Sequence, residues 1–262
     1  MARRSTDPDD YQRVAPPVAA MAKEFHDGAE VAPHRHIRAQ LVYAVNGVMR
    51  VGTEAAAWVV PPLRAVWIPA GIRHQHRMVG DVAMRTLYIA PDAAPWLWPD
   101  CRVIEVSSLL KELILSVLDE PVEYDLRGRG GLISRLILEE LQRAPLVPMR
   151  IPMPADPRLL AVCQALLDRP DSTAALETWA EQAGASSRTL ARRFRQETGL
   201  SFGAWRQQAR LAEAVCRLAL GRPVSQIAYE LGYRSPSAFT AMFRRALGQA
   251  PQRYYDRAPP PA

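Results

Sequence analysis

No apolar run in this 262-residue chain approaches the length needed to cross a bilayer. The opening residues, MARRSTDPDDYQRVAPP, lack the apolar stretch of a secretory leader, so a soluble, cytoplasmic protein is expected. Cysteine is scarce: Cys101, Cys163 and Cys216 are odd in number, widely scattered and without the close pairing that metal clips or redox motifs require, which points to buried, reduced thiols. Also missing are a Ser-His-Asp arrangement, a phosphate-cradling glycine loop and a paired-carboxylate site, so the chain does not read as an enzyme.

What is present suggests two modules, since the length exceeds that of a usual single domain and the aliphatic content is enough for a core in each. The formal charge of +6 is unevenly placed. Residues 1 to 154 carry 18 basic and 18 acidic side chains, whereas residues 155 to 262 carry 15 arginines against 9 acids. Positive charge confined to one domain is the footprint expected where phosphates are neutralised, although solubility alone also accounts for a modest excess.

Residues 1 to 30 are polar and irregular and are expected to form an arm or edge segment. Short apolar runs follow at Leu41 to Val45, Val48 to Val51, Ala57 to Val60, Ala65 to Ile68 and Met84 to Ile89. They are punctuated by turn signals at Asn46-Gly47, Pro61-Pro62, Pro69-Ala70-Gly71 and Gly80-Asp81. Strands this short and turns this regular suggest a small antiparallel barrel or sandwich. Glu105 to Asp119 and Leu132 to Ala144 then show helical periodicity, with Leu109, Leu113 and Leu118 on one side of the first and Leu132, Leu136 and Leu141 on one side of the second. Those faces either cover the barrel core or pair with the same helices of a second chain. Four prolines between Ala144 and Pro154 exclude helix and central strand and mark a linker. Beyond it, everything to Tyr255 reads as helix broken by short turns.

That helical region contains a repeat. Trp179 to Gly184 aligns with Ile227 to Gly232, placing Ala180 on Ala228 and Gly184 on Gly232; farther on, after one residue is gained, Phe194-Arg195 aligns with Phe243-Arg244 and Gly199 with Gly248. Each copy reads as a short helix with a small Ala, a Gly that turns the backbone, a Ser cap and a longer amphipathic helix, which is the plan of a helix-turn-helix. In the first copy, Leu190 and Phe194 face inward while Arg188 and Arg192 share the opposite face, where guanidinium groups bind guanine edges or clamp phosphates. Ser187, Thr189, Arg193 and Arg195 flank that face. The second copy buries Phe239 and Phe243 and offers only Ser235, Ser237 and Thr240 before Arg244, so the first copy is expected to supply most base readout and the second to position the protein. Charge on an amphipathic helix also serves simply to solvate it; the repeat, its turn chemistry and the charge localisation together favour the DNA-binding alternative.

The segments LARRFRQETGLSFGAWR and RLALGRPVSQIAYELGYRSPSAFTAMFRRALGQAPQRYY, with the aromatic ending Tyr254-Tyr255, resemble the DNA-binding domain of the AraC family of bacterial transcription regulators. The likeness covers roughly the last third of the chain. It implies two helix-turn-helix units joined by a long helix, here Phe202 to Leu220, engaging successive major-groove segments.

Four of the five histidines lie in two i, i+2 pairs, His34/His36 and His74/His76, a spacing that places both members of a pair on one face of a strand. His34, His36 and His74, with Gly28, Gln40, Gly47, Pro69 and Gly71, resemble the two motifs of cupin barrels. In metal-binding cupins that likeness implies two His, a Glu and a later His as ligands, here His34, His36 and His74, with Gln40 where the Glu would stand. A neutral amide is the weaker ligand, but three imidazoles suffice for Zn, Ni, Cu or Fe. The alternative is an organic effector bound by His34, His36, Gln40, Tyr43, Trp67, His74 and His76, with Trp58 and Tyr88 as further aromatic candidates.

The expected architecture is therefore α+β and multidomain: a cupin-like antiparallel β-barrel for effector binding over 1–104, a helical dimerisation or packing segment over 105–144, a Pro-rich linker over 145–155, and an all-α domain with two helix-turn-helix units over 156–257. The expected function is effector-responsive transcription control, with operator or promoter duplex DNA, a small molecule, a second copy of the chain and RNA polymerase as partners, and no membrane. A divalent transition metal is the one cofactor the barrel suggests. The alternatives are a metal-dependent cupin enzyme tethered to a DNA-binding domain, and a constitutive DNA-binding protein with an inert barrel.

Overall fold

The computed structural model describes residues 5–147, 149–182 and 184–255. Residues 1–4 of the expected arm, Pro148 of the linker, Ala183 of the repeat and residues 256–257 of the expected DNA-binding domain lie outside the described residues. The chain divides into two units, Met1–Val51 with Val60–Pro148, and Gly52–Val59 with Met149–Ala262.

The first unit is built mainly of antiparallel strands: β1 (Val18–Phe25), β2 (Glu30–His34), β3 (Ala39–Ala44), β4 (Val48–Gly52), β6 (Arg64–Ile68), β7 (His74–Val79), β8 (Val82–Ile89), β9 (Arg102–Glu105) and β10 (Leu146–Val147). One sheet runs β1-β8-β3-β6-β9-β10, and a second includes β4-β7-β2. The expected closed barrel is corrected by this order. Among the described residues β1 pairs only with β8, β10 only with β9 and β2 only with β7, so the ladders end at edge strands instead of joining into a ring.

One face of the six-stranded sheet carries Leu41, Tyr43, Ala65, Trp67, Leu87 and Ile89. It packs on helices α1 (Ser108–Val117) and α2 (Arg129–Arg143), which contribute Leu110, Leu113, Ile114, Val117, Ile133, Ile137 and Leu141. Ser107 caps α1 by accepting from the Leu110 N–H. The packing differs in phase from the sequence expectation: Leu113 and Leu141 are buried, but Leu109, Leu132 and Leu136 are 51%, 54% and 48% exposed. Both helices are apolar over more than one stripe, and the isoleucines and Leu110, not the regular leucines, follow the line of contact.

The polar opening segment is not wholly an arm. A short 3-10 turn at Pro8–Tyr11 buries Tyr11, and β1 buries Val18 to Met21. The Ala-rich text of β1 has few strong strand formers, and its burial comes from pairing with β8 along its whole length. The sequence also concealed β7, whose pattern buries His74, His76 and Met78, because histidine reads as polar in any hydropathy pattern.

In the second unit, β11 (Arg150–Pro152) pairs antiparallel with β5 (Ala56–Val60). Together with β10, it places short edge strands inside the proline-rich segment, a position where missing N–H donors are tolerated. The remainder is helical: α3 (Pro157–Asp168), α4 (Leu176–Gln182), α5 (Ser187–Thr198), α6 (Phe202–Ala219), α7 (Val224–Glu230), α8 (Pro236–Leu247) and α9 (Pro251–Tyr255). The fold is thus two-domain α+β, with antiparallel sheets first and helices second. No helix among the described residues is long and apolar enough to cross a membrane. All three cysteines are unbridged; Cys163 and Cys216 are buried as expected, and Cys101 is only half-buried.

Candidate nucleic-acid interface and interior polar pocket

The sequence repeat reappears as a repeat of hydrogen bonds. In the first copy, Gly184 N–H donates to Glu181 O and Ala185 N–H to Ala180 O; in the second, Gly232 N–H donates to Tyr229 O and Tyr233 N–H to Ala228 O. Gly184 and Gly232 both take the left-handed backbone, at φ +62° and +75°, which a residue with a Cβ adopts only with strain. Ala180 and Ala228 are buried against the following helices, as a close helix crossing requires. Caps then repeat: Ser186 accepts from Thr189 N–H and Ser235 from Ala238 N–H. The first set of equivalents is 48 residues apart and the caps are 49 apart, so the extra residue of the second copy sits in its turn, between Tyr233 and Ser235.

Helix α5 buries Leu190 and Phe194, with Phe194 packing edge-on at 5.9 Å against the fully buried Trp205 of α6. Its other side exposes Arg188, Arg192, Arg193 and Arg195, flanked by half-buried Ser187 and Thr189. Helix α8 buries Phe239 and Phe243 and turns Ser237 and Arg244 outward, with Ser235 and Thr240 half-buried. An open groove between the start of α7 and the outer side of α8 is lined by Arg222, Ser225, Ser237, Thr240, Arg244 and Arg245.

Charge counting alone overstated how many arginines are available. Arg210 is held by the carbonyls of Pro170 and Ser172, Arg206 donates to Ala174 O, and Arg217 bonds Glu213 and Glu230. Arg193, expected at the DNA, bonds Asp156 at 2.6 Å. Among the described residues Arg188, Arg192 and Arg195 form no ion pair.

Asp156 is a junction. It caps α3 through Arg158 N–H, and its bonds from the Arg158 side chain and then from Arg193 hold its carboxyl well below the usual carboxylate range. Glu197 of α5 also accepts from the Ala155 and Asp156 N–H groups, at 2.9 Å each. Asp156→Ala is expected to destabilise the helical unit by about 1 kcal/mol, the usual cost of a lost N-cap. Chemical denaturation followed by circular dichroism checks this, and an unchanged midpoint would show that the cap is redundant.

The second candidate region is interior to the sheets of the first unit. His34 ends β2, His36 follows it, and His74 and His76 point the same way from β7. Ring centroids lie 4.4 Å apart for His34–His74, 4.8 Å for His34–His36, 5.2 Å for His74–His76 and 5.4 Å for His36–His74. Tyr88 stands edge-on to His36 at 5.0 Å. Gln40 is its cross-strand partner and Thr86 its neighbour two residues back, so all three share the sheet face toward His36. Among the described residues His36 Nε2, His74 Nε2, His76 Nδ1 and Thr86 Oγ1 are buried without a hydrogen-bond partner, while Tyr88 and Gln40 face only each other. Four such atoms in one place is unusual for a folded interior and makes this a candidate ligand site.

Burial lowers the pKa of His36 and of His74 to about 4 and holds His76 well below its ordinary value, so these rings are neutral near pH 7. A cavity of about 420 Å³, lined by Asp9, Gln12, Arg13, Arg35, His36 and Ile37, opens at His36.

Two expected effector residues are not here. Tyr43 and Trp67 sit on the opposite face of the sheet, in the core under α1 and α2, and Trp67 Nε1 donates to Trp98 O. Strand parity decides it: Gln40 faces the histidines, so Tyr43, an odd number of residues away, cannot. Trp58 belongs to the second unit. The expected ligand set His34, His36 and His74 is also altered, because the three residues whose ligand atoms come within 4.8 Å of one another are His34, His74 and His76. Thr86 was missed altogether; only its register with Val42 exposes it as a pocket residue.

A family model described as a helix-turn-helix domain matches residues 179–257. The HTH-type transcriptional regulator NimR of Escherichia coli (strain K12) is 34% identical over 242 residues, covering 91% of this chain and 88% of that protein. The HTH-type transcriptional activator RhaR of Klebsiella pneumoniae subsp. pneumoniae is 33% identical over 254 residues, covering 87% and 88% respectively. Among solved structures, the DNA-binding domain of AdpA in complex with a target DNA is 34% identical, covering 39% of this chain and 96% of that one, with a TM-score of 0.36. NimR and RhaR are both named as HTH-type regulators of transcription. With relatives this similar along nearly its full length, the chain belongs to the AraC family of helix-turn-helix, DNA-binding transcription regulators.

Proposed function

We propose that this regulator acts in the cytoplasm and reads operator DNA through two helix-turn-helix units, with α5 as the main base-reading helix and α8 as the positioning one. The observation that carries this reading is the pair of guanidinium groups, Arg188 and Arg192, without an ion-pair partner among the described residues, on the outer face of a helix set by a glycine turn and a serine cap. Phosphates contact Arg195, Arg244 and the small polar residues Ser187, Thr189, Ser235, Ser237 and Thr240, and Arg193 serves mainly to tie α5 to Asp156. The domain ranges 1–104, 105–144, 145–155 and 156–257 then correspond to sensing, packing, connection and DNA binding.

The effector enters the interior polar pocket of the first unit. Its complement is His36, His74, His76, Gln40, Thr86 and Tyr88, neutral groups that both donate and accept, and it suits a small polar molecule or a metal ion better than an apolar one. A second copy of the chain pairs through the exposed Leu132 and Leu136 of α2, which stand on the side away from the core.

The test is selection of bound duplexes by the full chain from a random library, followed by fluorescence anisotropy on the selected site across a salt series. A defined consensus is expected, with log K falling by about 0.9 per log unit of salt for each phosphate neutralised. No enrichment, or salt-independent attachment, would rule out this function.

A further inference from the structure

We infer that His34, His74 and His76 form a site for one divalent first-row transition-metal ion, with His36 outside the ligand set. This deepens the effector reading, since it names the ligand class for the same pocket and rests on that pocket being a ligand site.

Tautomers come first. His34 Nδ1 lies 2.7 Å from Ala32 O and His74 Nδ1 lies 2.8 Å from Ile72 O. A carbonyl oxygen can only accept, so both Nδ1 atoms carry the proton and both Nε2 atoms are left with a lone pair. Two histidines on different strands are thus oriented by the same device, a backbone carbonyl two residues earlier. That is the outer support by which proteins aim imidazole ligands at a metal.

The second observation is what those lone pairs meet. His74 Nε2 and His76 Nδ1 are buried without any hydrogen-bond partner, and one nitrogen from each of His34, His74 and His76 lies within 4.8 Å of the others. A buried imidazole nitrogen without a partner is costly, and a cation that takes up its lone pair repays that cost. Ligand nitrogens around a tetrahedral zinc stand about 3.3 Å apart, given Zn–N bonds of ~2.0–2.1 Å, so the set must draw together by up to about 1.5 Å to hold the ion.

The backbone is shaped to the same end. Val31 pairs with His76 and His34 with His74, so three steps along β2 span two along β7, and the irregularity falls between the two pairs. Without it, His34 would be out of register with His74; bulges commonly re-aim a side chain in this way next to functional sites. His36, which the cupin-like motif would have placed among the ligands, packs edge-on against Tyr88 and its nitrogens fall outside the mutually close set, although its ring lies 4.8 Å from His34.

Imidazole alone selects the ion class. The cluster contains no carboxylate, which disfavours Mg²⁺ and Ca²⁺, whereas Zn²⁺, Ni²⁺, Cu²⁺ and Co²⁺ suit nitrogen ligands. Three protein ligands leave at least one position open for water or an effector atom.

The test uses the full chain without an affinity tag, stripped with chelator and titrated with Co²⁺ while the visible d–d absorption is followed. One equivalent per chain is expected. His34→Gln, His74→Gln and His76→Gln should each weaken uptake by at least tenfold to a hundredfold, while His26→Gln, at an exposed histidine away from the cluster, stays within about threefold. Because His76 is enclosed and its replacement can perturb the fold, X-ray absorption on the zinc-loaded unmodified chain gives an independent count, with three imidazole scatterers expected. Failure to take up one equivalent, a count below three, or His76→Gln leaving uptake unchanged, would overturn the assignment. Duplex binding is measured in parallel: metal uptake lost with DNA binding intact sinks the metal site alone, and DNA binding lost with uptake intact sinks the regulatory reading alone.

Discussion

Replacing Trp205 with Ala is expected to destabilise the helical unit by about 3–5 kcal/mol, the range for a large aromatic removed from a packed core. Trp205 has no exposed surface, packs edge-on against Phe194 at 5.9 Å, and donates from Nε1 to Pro152 O at 2.6 Å. Truncation therefore leaves both a cavity between α5 and α6 and a carbonyl without its donor. Trp205→Phe keeps an aromatic ring against Phe194 while losing the hydrogen bond and part of the indole volume, so a loss of about 1–3 kcal/mol, smaller than for Ala, is expected. Amide hydrogen exchange over α5 and α6 reads the unit by itself, without assuming that the whole chain unfolds in one step. A loss under 1 kcal/mol for Trp205→Ala would mean that these helices are not held by this ring.

Arg192→Ala should weaken operator binding by about 1–3 kcal/mol, roughly 5- to 150-fold, and flatten base preference at the single position it reads. The side chain is exposed, lies on the face opposite Leu190 and Phe194, and has no ion-pair partner among the described residues. Arg195→Ala should instead weaken all sequences by similar amounts and lower the salt slope by about one phosphate. Binding-site selection with each variant distinguishes them. Unchanged base preference for Arg192→Ala would assign that residue to the backbone, and the proposed division of labour between α5 and α8 would fail with it. Arg193→Ala serves as the internal contrast, because its guanidinium is already held by Asp156 and its loss should be felt more in stability than in base preference.

The C-terminal helices were legible because their signals are local. Helix phase, cap and turn lie within about a dozen residues of one another, so Ala180, Gly184, Leu190 and Phe194 could be assigned roles without knowing what they pack against. The same holds for the shorter strands between Leu41 and Ile89, where β-branched and aromatic residues sit between turn residues. The pocket was legible only in part. Its histidines announce themselves by pairing in sequence, but Tyr43 and Trp67 were misplaced because strand parity can be counted only once strand register is known, and Thr86 carries no signal at all.

The sequence by itself determined the duplicated turn-and-helix plan, the faces of α5 and α8, the excess of arginine in the last third and the two histidine pairs, because each follows from residue type and short-range spacing. Only the tertiary structure decided that the β unit ends in edge strands instead of closing, that Leu110 and Ile137 rather than Leu109 and Leu136 meet the sheet, that Arg193 is engaged by Asp156, and that His76 joins His34 and His74. These are relations between residues far apart in the chain. They are set by strand pairing, a register irregularity and long-range burial, which local propensity does not encode.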